Sequence, residues 1–182
     1  MPELGPSPLM TGGDSLDVAA ARAAIAAAIR PIDGRETLPL RQALGRVLAE
    51  DVISPIDVPA HDNSAMDGYA FAGSALADGA ETVLRVAATV HAGDVPTMTT
   101  APGDCVRIMT GAVMPPGLDT VVPQELCRLE GGRIRIAPGT LRAGDNRRLR
   151  GEDLSRGRPA VAAGRRLRPA DLGLIASLGI AE

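Results

Sequence analysis

A proline-containing segment, Ser54–Ala60, separates two kinds of hydrophobic pattern in this chain. Before the segment, apolar residues recur at helical spacing. After it, they alternate with polar residues or form short runs, as they do in β-strands. Pro55 and Pro59 fit neither the interior of a helix nor the middle of a sheet. The segment is therefore predicted to be a linker and a candidate domain boundary.

The first predicted helix lies close to the start of the chain. Ser15 is its expected cap, Asp17 is placed in its first turn, and the helix runs to about Arg30. Pro31 and Gly34 then end it. The opening residues 1–14 are rich in Gly, Pro and Ser and are expected to form a flexible tail.

Two further helices are predicted from the same spacing. A short helix follows Pro39, and a final helix begins near Pro169, a favourable first helical position, and ends before Gly179. The apolar stripe of the short helix is Leu40, Ala43, Leu44, Val47 and Leu48, and the buried side of the final helix is Ala170, Leu174, Ile175 and Leu178.

Between these helices the pattern predicts short strands. The clearest element is a hairpin, in which Gly131 and Gly132 supply both left-handed residues of a two-residue turn. Ile134 and Ile136 alternate with arginines, so one face of the hairpin is expected to be solvated. The predicted strands are Thr82–Val90, Cys105–Met109, Asp119–Pro123, Leu126–Glu130, Arg133–Ala137 and Pro159–Ala163.

The composition limits the classes of partner open to the chain. One Tyr, one Phe and no Trp predict an aliphatic core and argue against a base-stacking surface. The net charge of -3 gives no electrostatic basis for nucleic-acid binding. No stretch approaches the roughly 20 apolar residues of a membrane span. Cys105 and Cys127 lack metal-like spacing and are expected to be free thiols in a reducing cytoplasm.

The segment Asp62–Ala70 contains the densest group of chemically useful side chains. A loop carboxylate such as Asp67 can hold Mg²⁺, or orient a phosphate-bearing ligand through the metal. Small residues such as Ser64 and Gly68 allow a ligand to approach the main chain. On spacing alone, a simple turn at Asp67-Gly68, with Asn63 as turn former, explains the segment better.

Three more segments place polar groups near predicted strand ends. In the first, Thr110 can bond an anion, Gly111 can present its N–H, and Arg107, opposite Ile108, is expected to be exposed at the same end. A strand-ending turn is the alternative. The second, Val121–Glu125, says little alone. The third, Asn146–Asp153, sets arginines beside acids; these arginines either bind phosphate or form a solvated, self-neutralising linker.

Taken together, these segments resemble a known family. The chain is similar to the molybdopterin molybdenumtransferases, the MoeA-type enzymes related to the gephyrin E domain. The resemblance covers roughly residues 15–182. It departs at Pro123, where the family often has a bulkier apolar residue, and at Arg147, where it often has an aliphatic one. The motifs that occur in family order are Asp62–Ala70, Arg107–Ala112, Val121–Glu125 and Gly151–Asp153.

The resemblance implies roles for particular residues. Asp67 and Thr110 match the functional Asp and Thr of the family's second domain and are the expected catalytic residues. Asp67 is also the candidate ligand for Mg²⁺. The expected substrate-binding residues are Asn63, Ser64, Gly68, Arg107, Gly111, Glu125, Arg148 and Arg150.

The resemblance also implies a reaction, a fold and partners. The reaction inserts molybdenum from molybdate into adenylylated molybdopterin and releases AMP. The implied fold is β-rich α+β: an elongated, discontinuous dimerisation domain from residues 15–60 and 146–182, with a β-rich domain, residues 61–145, inserted. A homodimer is implied, and molybdopterin adenylyltransferase is a further candidate partner.

Family enzymes continue into further domains that complete the active site, so the chain is expected to be a fragment that folds and dimerises without catalysing. Two other classes of function remain open on the sequence: a non-catalytic scaffolding module, and a stand-alone anion- or metal-binding protein.

Overall fold

A computed structural model of the chain describes residues 16–182. The chain divides into two compact units, one that ends at Thr37 and one that runs from Leu38 to Glu182. The expected flexible tail, residues 1–14, and the expected helix cap Ser15 lie outside the described residues. In residues 16–182, no helix combines the length and apolar character needed to cross a bilayer.

Helix α1 (Val18–Ala28) belongs to the first unit. Its N-terminal cap is Asp17, which was predicted to lie in the first turn, two residues after the cap. The Asp17 carboxylate accepts a hydrogen bond from the Ala20 N–H at 2.7 Å. This bond satisfies one of the four N–H groups that a helix start leaves unpaired. The helix ends at Ala28, two residues before the predicted end.

The second unit contains ten strands and helix α2 (Pro169–Ser177) in the part of the chain described. The strands are β1 (Val52–Ile53), β2 (Asn63–Ser64), β3 (Gly68–Phe71), β4 (Thr82–Val90), β5 (Asp104–Ile108), β6 (Thr120–Pro123), β7 (Cys127–Glu130), β8 (Arg133–Ile136), β9 (Arg147–Arg148) and β10 (Pro159–Val161).

Six strands form one sheet in the order β6-β3-β5-β4-β8-β7. Its pairs are antiparallel except for β4 and β5, which are parallel. The two edge strands, β6 and β7, are joined by only a three-residue 3-10 turn, Gln124–Leu126. The sheet must therefore curl until its edges meet at this turn, and an apolar cluster packs on each of its faces.

The predicted hairpin is confirmed. β7 and β8 pair across Gly131 and Gly132, whose φ angles are 56° and 74°. Ile134 and Ile136 are buried, whereas the arginines between them are exposed. The alternation visible in the sequence therefore identifies which face of the hairpin joins the core.

The two ends of the second unit pair with each other. β1 pairs with β10, β2 pairs with β9, and isolated bridges join Val47 to Arg166 and Val58 to Leu154. A third apolar cluster lies in this region, centred on Val161, Leu167 and Ile175. Residues from about 45 to 64 and from 147 to 167 thus pair antiparallel with each other, outside the six-stranded sheet.

The predicted helix over Leu40–Leu48 is wrong. Only Leu40–Gln42 form a 3-10 turn, and Gly45 then adopts a φ of 76°. The backbone pairs instead with the far end of the chain, because the Gly45 N–H donates to the Leu167 carbonyl and the Leu48 N–H to the Arg165 carbonyl. Long-range pairing therefore overrides the local helical spacing in this segment.

Helix α2 confirms the predicted helix at Pro169, but one residue of its predicted buried face is wrong. Ala170 is exposed, and Asp171 is buried in its place at 5% exposure. The Asp171 carboxylate accepts from the Arg168 N–H at 2.9 Å and pairs with the Arg165 guanidinium at 2.8 Å. A carboxylate can be buried here because it caps the helix and is neutralised.

Candidate active site

Asp67 and Thr110 lie 43 residues apart in sequence and are in direct contact. Asp67 is the last residue before β3, and Thr110 is the second residue after β5, the neighbour of β3. The Thr110 N–H and hydroxyl both donate to Asp67 Oδ1, at 2.7 and 2.6 Å. The pairing of β3 with β5 therefore brings two of the polar segments found in the sequence to one place.

These two hydrogen bonds make Asp67 a more acidic carboxyl than usual. The pKa of Asp67 lies below its ordinary value, because its carboxylate accepts hydrogen bonds from the Thr110 hydroxyl and, next in effect, the Thr110 N–H. Burial opposes this with a smaller effect, and the charge of Arg107 lowers the pKa slightly further. Asp67 is therefore ionised at neutral pH. Within residues 16–182, Oδ2 accepts no hydrogen bond, so this oxygen is available to a ligand.

The expected anion donors at Thr110 and Gly111 are already used inside the chain. Both donors of Thr110 go to Asp67, and the Gly111 N–H donates to the Ser64 carbonyl at 2.9 Å. These groups were predicted to bind an anion, whereas in the structure they fix Asp67 and its loop. The atom left facing outward is a carboxylate oxygen, which favours a cation over a bare anion.

Ser64 holds the shape of the loop that leads to Asp67. It is 1% exposed, its hydroxyl donates to the Met66 carbonyl at 2.6 Å, and the Met66 N–H donates back to it at 3.2 Å. The Ser64 N–H donates to the Ala112 carbonyl. Beside it, Asn63 has a buried side-chain oxygen without a hydrogen-bond partner in the described chain.

Gly68 places β3 against β6. It is buried, and a β-carbon at this position would meet the Val122 carbonyl oxygen at 2.0 Å. Only glycine fits between these two strands. The residue therefore acts on the position of the neighbouring Asp67 through the backbone.

Arg107 and Glu125 lie toward the same end of the sheet. Arg107 is exposed on β5, opposite Tyr69 in the register of β3. Glu125 is exposed in the 3-10 turn, next to Gln124, whose N–H donates to the Asp67 carbonyl at 3.0 Å. One positive and one negative side chain therefore stand near the Asp67 loop, both accessible to solvent.

Arg148 and Arg150 are bound by the chain's own carboxylates. Arg148 pairs with Glu152 and Asp153, the latter at 2.6 Å, and Arg150 pairs with Asp57 at 2.6 Å. A phosphate at these guanidinium groups would have to displace a carboxylate. This geometry agrees with the self-neutralising alternative that the sequence left open.

Asn146 is a residue near the site that the sequence reasoning missed. Its side-chain N–H donates to the Val121 carbonyl at 2.9 Å, and its own carbonyl accepts from the Ala65 N–H at 2.9 Å. The available signal was turn chemistry, since asparagine is enriched at positive φ and in turns, and Asn146 follows Gly144 and Asp145.

Asp67 does not belong to a complete set of metal-binding side chains in the part of the chain described. In residues 16–182, no group of three His, Cys, Asp or Glu side chains is arranged to hold an ion. Asp67 Oδ2 can give one oxygen ligand, which suits Mg²⁺ only if phosphate and water complete the coordination. The described residues therefore fit a shared Mg²⁺ site and do not form one alone.

Comparison with known proteins identifies the family. The family model described as "MoeA N-terminal region (domain I and II)" matches residues 16–179. The chain belongs to this family. A molybdopterin molybdenumtransferase of Haemophilus influenzae is 44% identical to it over 148 residues, which are 81% of this chain and 36% of the relative. Molybdopterin molybdenumtransferase 2 of Mycobacterium tuberculosis is 40% identical over 159 residues, 85% of this chain and 38% of the relative.

Solved structures of the MoeA family agree with this assignment. The molybdopterin biosynthesis MoeA protein of Pyrococcus horikoshii superposes with a TM-score of 0.76 and 34% identity, covering 84% of this chain and 41% of that one. The similarity therefore extends to the β-rich α+β fold. This MoeA-type chain spans little more than a third of the length of the curated relatives it matches.

Proposed function

We propose that this chain forms one wall of the active site of a molybdopterin molybdenumtransferase. The reaction inserts molybdenum from molybdate into adenylylated molybdopterin and releases AMP. The observation that carries the proposal is the Asp67 carboxylate, fixed by Thr110 and left with one free oxygen, in a chain of the MoeA family. Such a carboxylate is oriented before any ligand arrives, as catalysis by positioning requires.

Asp67 is the residue that would hold Mg²⁺. When bound, Mg²⁺ neutralises phosphate charge as the adenylate is cleaved. Asp67 would contribute a single oxygen ligand, so phosphate and water would have to supply the others. Arg107 stands near enough to act on the pKa of Asp67 and offers a solvated positive charge to the same phosphates.

The proposal extends to the domain layout, partners and location. Residues 15–60 and 146–182 form an elongated dimerisation domain, and residues 61–145 form the inserted domain that carries Asp67. The pairing of β1 with β10 supports this division, because it joins the two parts of the elongated domain. The pair of β2 with β9 connects the start of the inserted domain to the elongated one. The enzyme works as a cytoplasmic homodimer and receives its substrate from a molybdopterin adenylyltransferase.

A chimera tests this function directly. The part of the Haemophilus influenzae relative that follows the matched region is joined after Gly179, and molybdate-dependent AMP release from adenylylated molybdopterin is measured with Mg²⁺. Release by the chimera, with a loss of about a hundredfold or more in Asp67→Asn at unchanged melting temperature, supports the proposal. A chimera that folds and stays inactive, or an Asp67→Asn variant of full activity, contradicts it.

Measurements on the 182-residue chain alone distinguish this function from that of a stand-alone binding protein. Alone, it is expected to release no AMP, because Asp67 provides one metal ligand and lies exposed to solvent, which weakens its interaction with a charged ligand. Tight Mg²⁺ or molybdate binding by the chain alone, measured by calorimetry, would favour an anion- or metal-binding module instead.

A further inference from the structure

The segment that returns from the inserted region covers the outer edge of β6. On one side β6 pairs with β3. On the other side, the Val121 N–H donates to the Asp145 carbonyl at 3.0 Å, and the Val121 carbonyl accepts from the Asn146 side-chain amide at 2.9 Å. A side chain therefore completes the hydrogen bonding that a neighbouring strand would otherwise provide.

Asn146 also has an unusual backbone conformation. Its φ is 59°, the one positive φ of a non-glycine residue in the chain from 16 to 182. Asparagine tolerates this region better than most residues. With the backbone in this conformation, the Asn146 carbonyl accepts a hydrogen bond from the Ala65 N–H at 2.9 Å. Ala65 is two residues before Asp67, so Asn146 joins β6 to the Asp67 loop.

The loop Ala65–Asp67 is held at both ends by groups tied to β6. At its start, the Ala65 N–H is bonded to Asn146, which is itself bonded to Val121 in β6. At its end, the Asp67 carbonyl accepts from the N–H of Gln124, the residue that follows β6 directly. The position of the loop relative to β6 is thus fixed by these two hydrogen bonds, one at each end.

The Asp67–Thr110 contact depends on where this loop places the carboxylate. Two hydrogen bonds to one oxygen, from an N–H and a hydroxyl of the same residue, require a narrow range of positions. We propose that Asn146 is a positioning residue, which sets the geometry of the Asp67 carboxylate against Thr110 through the Ala65 hydrogen bond. Its catalytic consequence rests on the proposed function, but its structural part can be measured without any activity.

Two variants of Asn146 and one control in the same turn test the proposal. Asn146→Gly keeps positive φ accessible and removes the amide donor, and Asn146→Asp keeps the shape of the side chain and removes the donor. Asp145→Ala removes a different bond, that from the Arg142 N–H to the Asp145 carboxylate at 2.7 Å, and leaves the Asp145 carbonyl in place.

The measurement is the amide signal of Thr110 in the 182-residue chain by NMR. In both Asn146 variants, we expect an upfield shift of the Thr110 amide proton and exchange with solvent about fivefold faster or more, as the bond to Asp67 lengthens. The Ile134 amide, in the buried hairpin, is the internal reference. In Asp145→Ala, the Thr110 signal is expected to stay at its wild-type position.

Several outcomes would overturn the positioning role. Unchanged Thr110 signals in both Asn146 variants, or equal changes in Asp145→Ala, show that the loop is set by other contacts. If Asn146→Gly does not fold, the Thr110 signal of Asn146→Asp tests the proposal. Loss of the fold in both, with Asp145→Ala folded, makes Asn146 a stability residue and contradicts the proposal. A changed Thr110 signal with unchanged AMP release by the chimera would contradict the catalytic consequence of the positioning and leave its structural part intact.

Discussion

The backbones of Gly68 and Val122 approach so closely that no side chain fits between them. A β-carbon on Gly68 would lie 2.0 Å from the Val122 carbonyl oxygen and 2.9 Å from its carbon. Both atoms belong to the main chain of β6, so no change of rotamer relieves the contact. Because Gly68 follows Asp67 directly, this approach fixes the point at which the Asp67 loop enters the sheet.

Gly68→Ala is expected to lower the free energy of unfolding by about 3 kcal/mol or more, since β3 and β6 must separate to admit the methyl group. Urea denaturation measures it. The matched control is Gly173→Ala in α2, where a β-carbon meets no atom within 4 Å. That change is expected to stabilise the protein by roughly 0.5–1 kcal/mol. Equal, small effects of the two substitutions would mean that β3 and β6 shift easily.

Thr110→Val removes the hydroxyl bond to Asp67 at nearly the same side-chain volume, whereas Thr110→Ser keeps both donors. In the chimera, Thr110→Val is expected to lose about ten- to a hundredfold in AMP release, because Asp67 is no longer held in one position. Thr110→Ser is expected to stay close to wild type. The assay is kcat and KM for both variants. Similar losses in both would show that the methyl group, and not the hydroxyl, matters.

Asp171→Asn is expected to lower stability at neutral pH and to have no such effect in acid. The pKa of Asp171 lies below its ordinary value of 3.8, chiefly because the carboxylate accepts a hydrogen bond from the Arg168 N–H. The Arg168 and Arg165 side chains lower the pKa further, and burial opposes them. A depressed carboxyl pKa gives stability that is present above 3.8 and is lost as the pH falls through the folded-state pKa. Urea midpoints of both proteins at neutral pH and well below 3.8 provide the measurement. A difference that persists unchanged in acid would assign the effect to shape instead of charge.

Arg147→Met is expected to leave stability unchanged or raise it by about 1 kcal/mol. The Nε of Arg147 is buried without a hydrogen-bond partner in the described chain, and its nearest ion pair, with Asp62, is 3.6 Å long. Replacing an unsatisfied donor by apolar atoms removes a desolvation cost. The small favourable effect of Arg147 on Asp119 opposes this gain. Loss of more than 1 kcal/mol in urea denaturation would contradict the prediction and indicate a partner for Nε, such as a buried water.

Local pattern was enough to predict five strands of the six-stranded sheet, but it missed β3 (Gly68–Phe71). Alternation and a glycine pair mark the β7–β8 hairpin, and both signals act within a few residues. The helical stripe at Leu40–Leu48 failed because the backbone around Gly45 pairs with Leu167, more than a hundred residues away. No local signal reports such a partner.

In the candidate site, too, the residues could be predicted from the sequence, but contacts that depend on distant strands could not. Family motifs drew attention to Asp67 and Thr110, but not to the direction of their hydrogen bonds. Those depend on the register of β3 with β5, which spacing does not define. Asn146 was missed because its role comes from one φ angle and one side-chain bond to a strand 25 residues earlier.

The covering of β6 by residues 144–146 also bears on aggregation. Thr120–Pro123 is an uncharged strand rich in β-branched residues, and all four of its residues are buried. If the segment around Asn146 detached while the sheet stayed folded, this strand would present free N–H and C=O groups to another molecule. Such an edge is a template for intermolecular pairing. Selection against that intermediate favours a molecule in which the returning segment and the sheet unfold together.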